Sequence, residues 1–265
     1  MIAEFALVLG MALAGVWIYM TLGFIASLYL RRADIVDVMW GLGFVLLVLG
    51  TLWQYNTVPS LRQLAVAIMV WIWGTRLARH IYARNQGRSE DFRYKAWRTA
   101  WGSHFTLRSY LQIFLLQGLL MVLVAAPIIF INRFDASIFR TLSWGWLETV
   151  GVVVWMIGFY FESRGDAQLK AFSAQPENKG KIMTSGLWAY TRHPNYFGEV
   201  TLWWGIWLVA LTLPGGYLAI IGPLTISILI LKISGIPMLE KKYEGNPEFE
   251  AYKKRTSAFF PLPPR

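Results

Sequence analysis

Seven stretches of this chain are apolar over a length comparable with the thickness of a membrane, and that repetition leaves few folds open. A hydrocarbon core about 30 Å thick takes about 20 residues of helix at 1.5 Å per residue. The runs lie at Phe5 to Leu30, Val36 to Trp53, Leu61 to Ile81, Leu111 to Ile131, Leu147 to Phe161, Val200 to Leu213 and Tyr217 to Ile233. The fifth and sixth are short and must extend into their polar flanks to span. Inside lipid every backbone N–H and C=O has to be satisfied within the chain, so the runs predict helices. The expected fold is all-α, a polytopic membrane bundle of about seven transmembrane helices forming a single membrane-embedded domain over residues 1–265. Leu213-Pro214-Gly215-Gly216 reads as the turn between the last two.

Charge tests this count independently. Of the 25 Lys and Arg residues, 20 fall in the four segments that lie on one side if the amino terminus is outside: Arg31 to Asp34, Arg84 to Arg108, Arg164 to Glu199 and Lys232 to Arg265. Arg62, Arg133 and Arg140 fall on the other side, and Arg76 and Arg79 sit within the third run near its inner end. Positive charge collects on the cytoplasmic side, so the pattern predicts the amino terminus outside and the carboxyl terminus inside. The net charge of +10 is therefore explained by topology and does not point to nucleic acid. Met1 to Glu4 enters the first run without a basic start or a small-residue cleavage site, which predicts a retained helix rather than a removed signal. The chain has no cysteine, which excludes disulfides, thiolate metal sites and a Cys nucleophile, and its three histidines show no metal-ligand spacing.

The polar residues closest to the apolar runs are the candidates for chemistry, because ionisable groups near hydrocarbon are costly. Thr191 to Glu199, T-R-H-P-N-Y-F-G-E, puts Arg, His, Asn, Tyr and Glu at the mouth of the sixth run. Pro194 suits a first helical turn, whose free N–H groups near Arg192 and His193 favour an anion. Upstream lies Gly180 to Trp188, G-K-I-M-T-S-G-L-W, a glycine-punctuated loop carrying Lys181. Glu162, Asp166 and Lys170 recur every four residues and stack on one helical face, either as a surface ion-pair ladder or as carboxylates that accept ribose or amide hydrogen bonds.

A second group lies near the amino-terminal runs. Asp34 and Asp37 share a helical face; Asp34 reads as a helix cap, and Asp37, a turn deeper, reads either as a cap or as a carboxyl group able to donate a proton. Glu90, Asp91, Arg93 and Tyr94 suit an ordered polar network better than a lipid contact. Arg79 and Arg84 read as snorkelling side chains, and Gln112 and Gln117 as interhelical hydrogen bonds.

Five segments resemble the steroid 5-alpha-reductase-like membrane proteins, in particular their bacterial branch of unknown function. They are Asp37 to Phe44, D-V-M-W-G-L-G-F; Glu90 to Tyr94, E-D-F-R-Y; Asp166 to Phe172, D-A-Q-L-K-A-F; Ser185 to Glu199, S-G-L-W-A-Y-T-R-H-P-N-Y-F-G-E; and Pro237 to Tyr243, P-M-L-E-K-K-Y. The resemblance covers nearly the whole chain and implies a seven-helix fold in the bacterial inner membrane. It also implies NADPH bound from the cytosol and hydride delivered to an electron-poor C=C bond of a lipid or steroid-like enone. Carried over by position, Asp166, Lys181, Asn195 and Tyr243 are implied dinucleotide contacts, joined by Glu162, Lys170, Arg192, His193 and Tyr196. For the chemistry so implied, Asp37 and Tyr94 are the candidate proton donors, and Glu199 the candidate for orienting the nicotinamide. Ser173 and Ile236 stand where the steroid reductases carry arginines, so the resemblance does not extend to their grip on the cofactor phosphates, including the 2'-phosphate. The glutamine-glutamate pair that those enzymes use to polarise a steroid carbonyl is absent, with Asp37 the nearest acid, so the steroid itself is not implied.

Two other readings stay open. Isoprenylcysteine carboxyl and phospholipid methyltransferases, which bind S-adenosylmethionine, also carry R-H-P-x-Y before a helical hairpin and an acidic site after it, here Arg192 to Tyr196 and Glu240. A non-catalytic lipid-binding membrane protein is the third. Nothing in the sequence points to a protein partner; membrane lipids and a lipid-like small molecule are the expected contacts.

Overall fold

The structure, a computed structural model, describes residues 1–55, 58–135 and 144–264. Among these, every named element is a helix, with one isolated bridge between Thr191 and Ser257. Five helical stretches are long and apolar enough to cross a membrane: Ile2–Leu30, Ile35–Gln54, Leu61–Asn85, Phe92–Val124 and Gly216–Lys241. Many of their large apolar side chains, among them Leu7, Ile18, Trp53 and Ile68, are exposed, which lipid accommodates and water does not. The chain is an all-helical, polytopic integral membrane protein.

The described residues form two compact units, Met1–Trp144 with Ala210–Gly222, and Gly145–Val209 with Pro223–Arg265. The first contains α1 (Ile2–Leu30), α2 (Ile35–Tyr55), α3 (Leu61–Asn85), α4 (Phe92–Trp101), α5 (Phe105–Ser109), a π-helical segment (Tyr110–Leu115), α6 (Leu116–Val124) and α7 (Ala126–Phe134). Helices α2 and α3 meet at glycines: a Cβ on Gly41 or Gly74 would lie 2.5 Å from the carbonyl oxygen of the other, so only glycine allows this approach. Phe44 and Trp73 fill the adjoining core edge to face. At the start of α3, Ser60 and Gln63 form a capping box, and Gln63 reaches on to the carbonyl of Asn132 at 3.1 Å. There Arg62 pairs with Asp135 and Arg133 with Glu4, so two of the three arginines expected outside are neutralised. The third, Arg140, lies outside the described residues.

The stretch Phe92–Val124 is not one straight rod. Tyr94 near its start lies within interaction range of Gln117 near its end, positions that a straight helix would hold about 35 Å apart. Gly102, at φ 49° and ψ −124°, ends α4 and reverses the chain, and Arg98 then packs 4.0 Å over the Phe105 ring. The apolar run expected at Leu111 to Ile131 is thus carried by the π segment, α6 and α7, with Pro127 in the first turn of α7.

The second unit contains α8 (Trp146–Ser173), most of α9 (Pro194–Leu211) and of α10 (Ile221–Ile228), α11 (Ile236–Lys241) and α12 (Pro247–Arg255). The fifth and sixth expected spans are helical, as α8 and α9, but neither is among the five apolar enough to cross. Glu148 and Glu162 dilute α8, and the polar turn Asn195 to Glu199 together with three tryptophans dilutes α9. What these two helices have in place of apolarity is close contact. Gly151, Gly158 and Gly165 of α8 fall seven apart and face Gly205, Gly198 and Pro194 of α9: a Cβ on Gly158 would lie 2.5 Å from the Leu202 nitrogen, and one on Gly198 2.4 Å from the Glu162 nitrogen. Backbones this close fix α8 and α9 in register along their whole contact.

Candidate functional site

Two polar clusters stand out, one in each unit. In the first, the segment before α2 meets the segment before α4. Asp34, buried, takes the Arg32 guanidinium through both carboxylate oxygens at 3.0 and 2.8 Å and the Asp91 backbone N–H at 3.0 Å. It acts as a bracket between two segments rather than as the helix cap that the sequence suggests. Glu90 accepts from the Ala33 N–H at 2.7 Å and from Arg98. Asp91 caps α4 through the Arg93 N–H and also accepts from the Arg93 side chain, both at 3.0 Å. Burial pushes the Asp91 carboxyl up, but the hydrogen bonds and charge of Arg93 outweigh it and hold the group below the usual carboxylate range. The ordered network expected from E-D-F-R-Y is present.

At its inner edge Arg93 donates to Asp37 at 2.7 Å, and the Tyr94 hydroxyl lies 2.5 Å from the other Asp37 oxygen. Tyr94 is 1% exposed. An arginine only donates, so one oxygen of Asp37 accepts from Arg93, while the other accepts from the Tyr94 hydroxyl. The two acids expected separately form one hydrogen-bonded pair braced by a cation. Gln117 contacts the same hydroxyl, in line with its expected structural role.

In the second unit the R-H-P-N-Y segment is held from two directions. Arg192 forms a two-point ion pair with Glu240, Nε to Oε1 at 2.9 Å and Nη2 to Oε2 at 3.2 Å, and its Nη1 donates to the Thr256 carbonyl at 2.5 Å. His193 Nε2 lies 2.9 Å from the same Glu240 oxygen, and the imidazole stacks on Tyr196 at 5.4 Å. The carboxyl-terminal segment then lies alongside. The Arg192 N–H donates to Ser257 at 2.8 Å, the Thr191 hydroxyl to the Phe259 carbonyl at 2.9 Å, the Leu262 N–H to Tyr190 at 3.0 Å and the Tyr252 hydroxyl to the Trp188 carbonyl. Burial raises the Tyr252 phenol well above its ordinary value, so it remains a donor. Arg192 and His193, expected as cofactor contacts, therefore have partners within the fold. Glu240, noted in the sequence only as an acidic site after the hairpin, is the residue that organises them.

Below this lock the register of α8 and α9 sets Asn195 against Asp166, Nδ2 to Oδ1 at 3.2 Å. Glu162 is buried at 2% exposure one turn away. Two buried atoms here have no hydrogen-bond partner among the described residues, Asn195 Oδ1 and His193 Nδ1, and such groups are costly to leave unpaired. They mark where a ligand N–H or O–H would be received. The loop before α9 is fixed to α8 by Trp188 Nε1 to the Gly165 carbonyl at 3.1 Å and by the Leu187 N–H to Gln168 at 2.9 Å. Lys170 and Lys181 are exposed, Glu199 and Tyr243 half-buried, and Tyr243 stacks on Phe249 at 5.0 Å.

A family model described as a protein of unknown function, DUF1295, matches residues 23–256. The chain belongs to this family. The first cluster and the Asp166, Arg192, His193, Asn195 and Glu240 contacts lie within the matched region, whereas Ser257, Phe259 and Leu262 of the strap lie just beyond it. No curated protein and no solved structure matches the chain.

Proposed function

We propose that this chain is a membrane-embedded NADPH-dependent reductase that delivers hydride to an activated C=C bond of a lipid or steroid-like enone. The observation that carries the reading is the Tyr94–Asp37 pair braced by Arg93. Enone reduction builds negative charge on a carbonyl oxygen and ends in protonation, whereas methyl transfer to a carboxylate or an amine needs no acid. A hydrogen-bonded pair of acids suits the first chemistry.

The second unit fits the cofactor. Asn195 Oδ1 and His193 Nδ1 are buried acceptors awaiting donors, which a carboxamide or ribose would supply, and Asp166 and Glu162 add acceptors on the same side. When bound, NADPH supplies the hydride. Glu199 and Tyr196 would orient the nicotinamide end, and Lys170, Lys181 and Tyr243 would line the approach. In the resting pair the Tyr94 proton is directed at Asp37. Uptake of one proton by Asp37 frees the Tyr94 O–H to turn to the substrate oxygen, where it stabilises the developing charge more than the ground state.

Calorimetric titration of the detergent-solubilised protein with NADPH, NADH and S-adenosylmethionine tests the assignment, with saturable NADPH binding expected. S-adenosylmethionine binding alone would move the chain to the methyltransferases, a reading that the joining of R-H-P-N-Y to Glu240 supports. Binding of none of the three would leave a non-catalytic lipid-binding protein. In the same proposal the chain spans seven times with the amino terminus outside. Because it has no cysteine, a single cysteine at Asn178 should react from the cytoplasm, and labelling only from outside would overturn the topology.

A further inference from the structure

We propose that the carboxyl-terminal segment forms a pocket for the phosphate of an anionic phospholipid headgroup, a site independent of the reductase reading. A cavity of about 280 Å³ is lined by Arg192, by Lys253, Lys254 and Arg255 at the end of α12, by the segment 256–258 and by Leu262 and Pro263. Among the described residues no carboxylate side chain lines it. Arg192 is already neutralised by Glu240, so the excess charge comes from the three consecutive cations. Lys253 pairs with Glu250 at 3.0 Å, but both are exposed and such a pair holds weakly. Lys254 and Arg255 form no ion pair among the described residues.

Basic residues in a last helical turn usually complement the helix dipole, but that dipole amounts to about half a charge. Three full charges exceed it, and they face a cavity. Beside them Phe260 and Leu262 are 64% and 50% exposed. Cations next to exposed apolar side chains suit the boundary between headgroups and acyl chains, where Lys and Arg attract anionic lipid. A soluble phosphate would use the cations alone; a phospholipid uses both features.

The test is calorimetry on the full chain in neutral detergent, with short-chain phosphatidylglycerol, phosphatidylcholine of the same chain length, and inorganic phosphate as competitor. Phosphatidylglycerol should bind saturably, and the K253Q/K254Q/R255Q variant should bind it about tenfold or more weakly with an unchanged thermal midpoint. The K253R/K254R/R255K variant should bind like the parent. Equal affinity in the glutamine variant, or phosphatidylcholine bound as tightly as phosphatidylglycerol, would overturn the site. Displacement of the lipid by equimolar inorganic phosphate would overturn the headgroup assignment.

Discussion

Replacing Glu240 by alanine tests the organisation of the second unit most directly. Its carboxylate receives Arg192 through two nitrogens and His193 through one, at 2.9, 3.2 and 2.9 Å, and the side chains are 16%, 9% and 4% exposed. Removing one partner of a buried ion pair typically costs about 3–5 kcal/mol, because the other charge stays desolvated. Arg192 would keep only its bond to the Thr256 carbonyl among these contacts, while the partial exposure of Glu240 moderates the loss, so about 3 kcal/mol is expected. For a chain of this size that corresponds to a fall of roughly 6–12 °C in thermal midpoint, read from tryptophan fluorescence in detergent. The double variant Arg192→Ala, Glu240→Ala should be less destabilised than the sum of its parts, since it leaves no unpaired guanidinium. A midpoint within about 2 °C of the parent for Glu240→Ala, or additivity within about 0.5 kcal/mol, would refute the pairing as an organising contact.

Tyr94→Phe and Asp37→Asn should each lower turnover on a reducible enone about 10²- to 10⁴-fold while changing NADPH affinity little; full turnover in both would remove the acid assignment. The depressed Asp91 carboxyl contributes stability that is fully present above its unfolded value, about 3.9, and is lost as pH falls through the lower folded value. The thermal midpoint should therefore drop more steeply below about pH 4 in the parent than in Asp91→Asn, and parallel curves would show that the group carries no such linkage. Gly158→Ala places a methyl 2.5 Å from the Leu202 nitrogen, so a loss of about 1–3 kcal/mol is expected from overpacking, and an unchanged midpoint would mean that α8 and α9 are not in close contact.

How far the sequence discloses this arrangement depends on distance along the chain. The E-D-F-R-Y network is legible because its charges crowd into five positions, and Gln117 reads correctly as structural because an apolar run tolerates an amide only with a partner. The pairing of Asp37 with Tyr94 is not legible: the residues are 57 positions apart and meet because Asp34 brackets the two segments. Glu240 is hidden for the same reason, 48 positions from Arg192. The glycines at 151, 158 and 165 with 198 and 205 were available in the sequence as a seven-residue period, and they explain why α8 and α9 form a tight pair despite their modest apolarity. Hydropathy sees what a helix shows to lipid, and a glycine stripe faces another helix.

The strap from residues 252–262 to residues 188–193 bears on how the protein is made. Synthesis runs from the amino terminus, so Arg192 and His193 exist before Glu240, Thr256 and Ser257 leave the ribosome. Through that interval the Arg192 and His193 side chains and the Arg192 N–H lack the partners that the finished fold gives them. A polypeptide interrupted near residue 245 would contain every apolar span and still be unable to close this segment. Insertion into the bilayer and completion of the site are therefore separate events, and a quality-control protease that samples the unfastened segment would distinguish a merely inserted chain from a finished one.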